Sequence, residues 1–173
     1  MSGTDAPAGA WAADEAVTHL YAAHYRSLVR LTALLLRDSA VAEEVVQDAF
    51  VAMHGAWSRL QDPDKALAYL RRSALNGARS ALRRREVAVR LAPAPAPDAP
   101  SAEHGALVAL EHQEVLRALR TLPVRQREVL VLRYYADLSE ADIADALGIS
   151  RGAVKSHASR GLAALRTALE ETR

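Results

Sequence analysis

A run of alternating prolines divides the chain into two parts. Residues 92–100 read APAPAPDAP and hold four of the seven prolines in the 173-residue sequence. Proline fixes the backbone φ angle and lacks an amide hydrogen, so this run can form neither an α-helix nor a central β-strand. Such a segment is semi-extended, at about 3 Å per residue, and can hold its flanking domains tens of ångströms apart. The sequence therefore predicts two domains joined by a proline- and alanine-rich linker.

Composition excludes several classes of protein. Half of the residues are apolar and none is cysteine, so disulfides and thiolate metal sites are excluded. The best candidate for a membrane span, Leu31–Leu36, is bracketed by Arg30 and Arg37 and is far shorter than the roughly 20 apolar residues required. The histidines are scattered, and the sequence contains no HExxH motif, glycine-rich phosphate loop or nucleophile elbow. We therefore predict a cytoplasmic protein that is not an enzyme and has no membrane insertion, metal or cofactor.

Apolar residues at helical spacing place the chain in the all-α class. Before the proline run they predict three helices, of which the first ends near Arg37, the second buries Val46 and Met53, and the third begins at Asp62 and Pro63. No alternating strand pattern occurs there. We expect two small helical domains. The predicted divisions are a disordered tail at 1–13, a helical bundle at 14–88, a linker at 89–104 and a second helical domain at 105–173.

The C-terminal part contains two short capped helices joined by a tight turn. Ser139 is placed to cap the first helix, and Asp142 completes a capping box three residues later. Gly148 can adopt the positive φ that ends this helix, and Ser150 is placed to cap the next. Two capped helices at this spacing are the layout of a helix-turn-helix that reads DNA.

The second of these helices has an apolar side and a cationic side. A helical wheel turns one side of this helix towards the domain, namely Val154, Ala158, Gly161 and Leu165. The opposite side and the helix start carry small and cationic groups, which suit a major groove and its phosphate walls. The candidate DNA-reading residues are Arg151, Gly152, Lys155, Ser156, Ser159 and Arg160. The alternative is a helical hairpin with a solvated basic face.

A concentrated basic segment lies in the third predicted helix. Residues 63–90 hold eight Lys/Arg against two Asp/Glu, although the whole chain has a net charge of only +1. Such a concentration of positive charge is typical of a segment that binds phosphates. The alternatives are a helix at a membrane surface and a solvated helix end. Asn76 and Gly77 interrupt the helix with poor helix formers, either as a weak spot or where the backbone closely meets a ligand. The arginines are Arg71, Arg72, Arg79, Arg83, Arg84 and Arg85.

Three segments, in order and in spacing, resemble a known family. They read AEEVVQDAFVAMHGAW, LAYLRRSALNGARSALRRR and TLPVRQREVLVLRYYADLSEADIADALGISRGAVKSHASRGLAAL. Together they resemble the bacterial extracytoplasmic-function (ECF) sigma factors of RNA polymerase, in the sigma-70 family, and most of all the actinobacterial SigE-like subgroup. The resemblance runs from about residue 15 to about residue 170 and is broken only at the linker.

The resemblance implies that residues 15–88 form sigma region 2. In the family this domain binds the clamp helices of the largest polymerase subunit and opens the minus-10 promoter element. The polymerase-binding residues would be Glu44, Gln47, Asp48 and Val51, for which a solvated helix face is the alternative. The minus-10 DNA-binding residues would be Asn76, beside the pocket for a flipped base, with Arg71, Arg72, Arg79, Arg83 and Arg84.

The resemblance further implies that residues 105–170 form sigma region 4, which reads the minus-35 element with the six residues named above. Arg133 would add a phosphate contact, and the linker would replace the region 3 domain of larger sigma factors. The implied partners are the clamp helices and flap of core RNA polymerase, promoter DNA and an anti-sigma factor. Free in solution, such a protein should bind promoter DNA poorly, because polymerase fixes the spacing of its two DNA contacts.

A rival hypothesis is a LuxR-type helix-turn-helix regulator that acts without being a polymerase subunit. Such regulators carry a receiver or ligand-binding domain, and receivers are mostly α/β. The helical N-terminal part argues against this hypothesis. Binding to promoter DNA in the absence of polymerase would favour it.

Overall fold

The computed structural model describes residues 8–60, 62–91 and 110–171 of the chain. All regular structure within these ranges is helical, which confirms the predicted all-α class. Among the described residues, three long helices precede the proline run and four further helices follow it. The helices are α1 (Ala8–Leu36), α2 (Ser39–Leu60), α3 (Pro63–Leu91), α4 (Leu110–Thr121), α5 (Val124–Leu130), α6 (Glu140–Leu147) and α7 (Arg151–Glu170), with a π-helical segment (Val131–Tyr135) directly after α5.

Local hydrogen bonds set the boundaries of the first three helices. α1 ends where Arg37 adopts a left-handed φ of 64°. Asp38 Oδ1 then accepts from the Val41 amide at 3.1 Å, and Asp62 Oδ1 accepts from the Asp64 amide at 2.9 Å directly before α3. A side-chain acceptor at this position satisfies an amide that has no partner within the helix. The predicted break near Arg37 and the predicted start at Asp62 are therefore confirmed.

α1, α2 and α3 form a bundle in which each helix contacts the other two. On α1 the rings of Tyr21 and Tyr25 stack with centroids 4.3 Å apart, and Tyr21 lies 5.1 Å from the ring of Phe50 on α2. Val46 and Met53 are fully buried, so the predicted apolar stripe of α2 is its core side. The core at this end of the bundle consists of Leu20, Leu28, Val46, Ala49, Phe50, Met53, Ala66 and Leu70.

Gly77 lies where α3 comes closest to α2. A Cβ atom at this position would lie 2.7 Å from Val45 Cγ1, which is closer than real Cβ contacts. α3 continues through Asn76 and Gly77 without a break. Of the two explanations offered by the sequence, the structure supports a close approach to the backbone at Gly77. The neighbour, however, is the Val45 side chain of this chain and not a ligand.

The C-terminal part contains the predicted helix-turn-helix. Ser139 Oγ accepts from the Asp142 amide at 3.1 Å and starts α6, and its hydroxyl donates in return to Asp142 Oδ2 at 2.6 Å. Gly148 ends α6 with a φ of 64°, and Ser150 Oγ accepts from the Ala153 amide at 3.1 Å to start α7. Both caps and the glycine turn are confirmed.

α5 packs against the apolar side of α7. Pro123 is the N-cap residue of α5. After α5 the helix widens, and the Ala136 amide donates to the Val131 carbonyl five residues back at 3.2 Å. Gly161 allows α7 to approach α5 closely, because a Cβ there would lie 3.1 Å from Leu130 Cδ1. α7 is therefore held by its apolar side.

The two halves of the chain share one apolar core. Leu31 and Leu35 of α1 and Leu75 of α3 belong to the same buried cluster as Leu132 of the π-helical segment and Ile143 of α6. α3 also contacts α6, and α1 contacts α5. The linker permits separations of tens of ångströms, but in this structure apolar side chains of the two halves are buried against each other.

Two predicted boundaries need correction. The disordered tail predicted at 1–13 is wrong from Ala8 onward, because α1 begins there and Ala13 is only 5% exposed. Alanine-rich sequence favours helix, which explains the early start. The linker predicted at 89–104 starts too early, because α3 continues to Leu91 and the first proline stands two residues further on. Residues 1–7 and 92–104 lie outside the described residues.

We predict that Gly77→Ala destabilises the protein. The new methyl group would overlap Val45 Cγ1, so α2 and α3 would have to separate slightly. Overpacking of this kind costs about 1 to 3 kcal/mol in the free energy of unfolding. Urea unfolding followed by circular dichroism would measure the loss.

The matched control is Gly55→Ala in α2, where no atom lies within 4 Å of the position of the added Cβ. Alanine favours helix over glycine by up to about 1 kcal/mol, so this variant should be as stable as the natural protein or more stable. Equal unfolding midpoints for Gly77→Ala and the natural protein would contradict the packing role of Gly77.

Candidate nucleic-acid interface

The polar side of α7 forms an exposed surface in the helix-turn-helix. The apolar side of α7 is buried through Val154, Ala158 and Gly161, as the helical wheel predicts. This burial fixes the rotation of the helix and turns its other side outward. The exposed residues on this outer side include all six candidate readers, Arg151, Gly152, Lys155, Ser156, Ser159 and Arg160. We call this set the α7 face.

Glu140 places a negative charge beside the α7 face. Its Oε2 lies 3.8 Å from Lys155 Nζ, and its Oε1 lies 3.4 Å from Arg133 Nη1. Glu140 thus brings one candidate reader together with the residue expected to contact a phosphate. Ion pairs at such exposed positions contribute little stability, so the Lys155 ammonium can exchange this partner for another anion. Within the face, Arg160 Nε donates to the Ser156 carbonyl at 3.3 Å.

The candidate minus-10 residues of α3 differ in exposure. Arg71 and Arg79 are half-buried where α3 meets the C-terminal half. The other four candidates are exposed, and we call them the α3 face: Arg72, Asn76, Arg83 and Arg84. Arg79 lies at helical spacing from Asn76 and Arg83, on the same side of α3, but its side chain reaches Glu128 of the C-terminal half.

Arg79 forms the most buried ion pair of the described residues. Its Nε donates to Glu128 Oε1 at 2.7 Å and its Nη2 to Glu128 Oε2 at 3.2 Å. The Glu128 side chain is only 2% exposed and that of Arg79 18% exposed. Arg125 adds a second cation, with Nη1 3.1 Å from Glu128 Oε2. Two guanidinium groups thus neutralise one buried carboxylate.

Arg71 lies in a cavity of about 330 Å³ between α1, α3 and the end of the π-helical segment. Desolvation lowers the pKa of Arg71 below its usual value, and the nearby Asp142 carboxylate partly offsets this effect. The contact between the two halves therefore places Arg71 opposite an acidic residue of the helix-turn-helix. The cavity is lined by His24, Ser27, Leu28, Leu31, Leu67, Arg71, Tyr135 and Ala136.

The acidic side of α2 forms a third exposed surface. Its members follow at helical spacing, so that they lie one above the other on a single side of α2. Val51 is 72% exposed and adds an apolar side chain next to the carboxylates. Exposed apolar and charged groups side by side are suited to a protein partner. This α2 face consists of Glu44, Gln47, Asp48 and Val51.

Sequence reasoning missed the residues that join the two halves. Glu128 stands one helical turn before Leu132, so its position among buried residues could have been suspected from the periodicity. Its partner Arg79 lies 49 residues away, and no local pattern links them. The sequence marks Arg37 as a helix end but does not indicate that its Nη2 donates to the Arg120 carbonyl of α4.

The structure adds two negative findings for the residues it describes. No cluster of three or more His, Cys, Asp or Glu residues suited to a metal ion occurs among residues 8–60, 62–91 and 110–171. Over the same ranges, no helix combines the length and the apolar character needed to cross a membrane. His157, on the flank of α7, is half-buried and belongs to no such cluster.

Comparison with protein-family models identifies both halves. Residues 20–87 match sigma-70 region 2, and residues 112–165 match sigma-70 region 4. The α2 and α3 faces lie within the first match and the α7 face within the second. The matches therefore cover all three surfaces.

Similar proteins bear sigma-factor names. The RNA polymerase sigma-E factor of Streptomyces avermitilis is 35% identical over 147 residues, which cover 83% of this chain and 79% of that protein. The ECF RNA polymerase sigma factor SigM of Mycobacterium tuberculosis is 34% identical over 151 residues, or 87% and 75% of the two chains. The similarity to sigma-E factors agrees with the subgroup that the sequence motifs indicated.

Solved structures agree with this assignment. CnrH in complex with the cytosolic domain of CnrY superposes with a TM-score of 0.68 at 27% identity and covers 95% of this chain and 99% of that chain. The sigma factor RpoE in complex with the anti-sigma factor NepR from Bartonella quintana gives a TM-score of 0.69 at 23% identity, which shows likeness of fold. With both regions matched and relatives covered over most of their length, the chain belongs to the extracytoplasmic-function sigma factors of the sigma-70 family.

Proposed function

We propose that this sigma factor recruits core RNA polymerase through its α2 face and reads promoters through its α3 and α7 faces, with no catalytic activity of its own. The observation that carries the proposal is the α7 face, in which six small or cationic residues are exposed on a helix whose opposite side is buried. A capped helix held in this way presents the same residues to a major groove each time it binds. Its place of action would be the cytoplasm, on the nucleoid.

The α2 face supports polymerase binding. Carboxylates bind arginine through charge-assisted hydrogen bonds, and a neighbouring apolar group excludes water from them. Asp48 and Val51 supply these two elements within one turn of α2. The α3 face supplies cations for a single strand, and Asn76 lies among them on the exposed side.

The two halves have different tasks under this proposal. Region 2 would hold and open the minus-10 element, and region 4 would read the minus-35 element. Each contact is modest alone, and polymerase would make them act together by fixing their spacing. An anti-sigma factor would be a further partner, for which the complex of the similar CnrH with the cytosolic domain of CnrY gives support.

Run-off transcription tests the proposal directly. The protein is mixed with core RNA polymerase and genomic DNA fragments, and transcripts are compared with those from core polymerase alone. New transcripts that start at discrete sites are expected only when the protein is present. Absence of both core binding and new transcripts would overturn the proposal. Tight binding to promoter fragments without polymerase would instead support a LuxR-type regulator.

We predict that Lys155→Ala and Arg160→Ala each weaken promoter binding by the holoenzyme by about 1 to 3 kcal/mol, because each removes a cation from the α7 face. Arg117→Ala is the matched control, since Arg117 is an exposed cation of the same half on α4. Filter binding of holoenzyme to a promoter found by run-off transcription measures the effect. Losses of equal size in the control would show that the α7 face has no special role.

We predict that Asp48→Arg lowers the affinity for core polymerase by at least about tenfold, because it reverses a charge at the centre of the α2 face. Glu15→Arg is the control and makes the same charge reversal on exposed α1. Fluorescence anisotropy of labelled protein titrated with core polymerase measures both. Unchanged affinity for Asp48→Arg would assign polymerase binding to another surface.

A further inference from the structure

The cavity beside Arg71 is lined by both halves of the chain. Residues of α1 and α3 form one wall, and Tyr135 and Ala136 at the end of the π-helical segment form the other. Its volume of about 330 Å³ equals that of roughly ten molecules of liquid water and lies within the range of pockets that bind small molecules. The cavity is therefore large enough for an organic ligand.

The lining of the cavity has an apolar part and a polar part. Leu28 and Leu31 of α1 are buried, and Leu67 of α3 is half-buried. These three leucines supply most of the apolar lining. The polar part consists of His24, Ser27, Arg71 and Tyr135. Apolar walls with a few polar groups among them are typical of sites that bind small molecules.

The polar part supplies hydrogen-bond donors and contains no carboxylate. The Arg71 guanidinium group has five N–H donors and no acceptor, and the Tyr135 hydroxyl and the His24 ring can each donate as well. The Ser27 hydroxyl donates to the His24 carbonyl at 2.9 Å and is thus engaged within α1. None of the eight lining residues is acidic. A ligand that these groups recognise must therefore carry acceptors and, opposite Arg71, a negative charge.

The Arg71 guanidinium group lacks a full counter-charge in the fold. Among the described residues, no acceptor lies within hydrogen-bond or ion-pair distance of it. The charge that attracts Arg71 is that of Asp142, whose Oδ2 already accepts from the Ser139 hydroxyl at 2.6 Å. Desolvation outweighs this attraction and lowers the pKa of Arg71. A half-buried cation of this kind is stabilised by an anion bound next to it.

We propose that this cavity binds a small organic carboxylate, whose charged group pairs with Arg71 and whose apolar body contacts Leu28, Leu31 and Leu67. A guanidinium group binds a carboxylate through two parallel N–H···O hydrogen bonds, and the apolar walls exclude water from them. The one permanent cation of the cavity matches the single charge of a carboxylate. A phosphate dianion would leave a second charge uncompensated against apolar walls. This site goes beyond promoter binding and does not depend on it.

The natural full-length protein provides the first test. The probe is para-trifluoromethylbenzoate, which joins a carboxylate to an apolar ring and is observed by fluorine NMR. It should bind saturably with a dissociation constant of about 1 mM or tighter, as expected for a ligand of this size. The amide of the same acid has nearly the same shape without the charge and should bind at least about tenfold more weakly. Equal affinities for acid and amide, or no saturable binding of the acid up to about 10 mM, would overturn the proposal.

Arg71→Met tests the charged group. Methionine keeps an unbranched side chain and removes the cation, so binding of the benzoate should weaken at least about tenfold and its preference over the amide should disappear. Arg30→Met is the matched control, since Arg30 is an exposed cation of α1 that does not line the cavity. Its affinity for the benzoate should equal that of the natural protein. Equal losses in the two variants would indicate general attraction to a basic surface and would overturn the proposal.

The stability of Arg71→Met without ligand distinguishes a ligand-binding role of Arg71 from a structural one. The guanidinium group is desolvated and has no described hydrogen-bond partner. Its replacement by an apolar side chain should therefore leave the midpoint of urea unfolding unchanged or raise it. A lower midpoint would show that the donors of Arg71 are already satisfied within the protein, and would overturn the proposal.

Leu67→Trp tests the apolar part of the cavity with Arg71 intact. The larger side chain occupies part of the space, so binding of the benzoate should weaken at least about tenfold. Circular dichroism shows whether this variant folds, and the comparison of acid and amide on the natural protein decides the proposal even where it does not. A folded Leu67→Trp variant that binds the benzoate as tightly as the natural protein does would overturn the proposed site.

Discussion

A carboxylate removed from water must be neutralised and hydrogen-bonded, because its isolated burial costs several kcal/mol. The fold places Glu128 in this situation at the junction of its two halves. Arg125 of the same half supplies one cation, and Arg79 of the other half supplies the shorter, two-pronged contact. Full neutralisation of Glu128 therefore requires that the halves meet. The neutralisation of the buried Glu128 carboxylate thus depends on whether Arg79 of the other half reaches it.

The apolar residues explain why the contact between the two halves leaves the α7 face exposed. Val154 and Ala158 of α7 are buried in the shared core, so the opposite side of α7 points outward. α3 differs, because Arg71 and Arg79 stand one turn before and one turn after the buried Leu75 and are half-buried beside it. When the apolar stripe of α3 is covered, part of its cationic surface is covered as well. The difference between α3 and α7 thus follows from how each helix distributes its charges.

Local chemistry was predictable from the sequence, and long-range pairing was not. Ser139, Gly148 and Ser150 act on residues within a few positions of themselves, so their caps and turn could be predicted before the structure was known. The exposure of the α2 and α7 faces followed from helical spacing. The Arg79–Glu128 pair joins residues on either side of the linker, whose composition permits many arrangements of the halves. Gly77 was ambiguous for the same reason, since its neighbour Val45 belongs to another helix.

The Arg79–Glu128 ion pair defines how the two halves align more than it stabilises their contact. Replacing a buried ion pair by apolar groups is often neutral or stabilising, which means that the charges add little net stability. They do require one arrangement, because the Arg79 fork fits Glu128 in only one alignment of the halves. The shared apolar core, in contrast, stabilises any contact that removes its surface from water. The ion pair therefore selects one alignment of the halves, and the apolar core supplies the stability of that alignment.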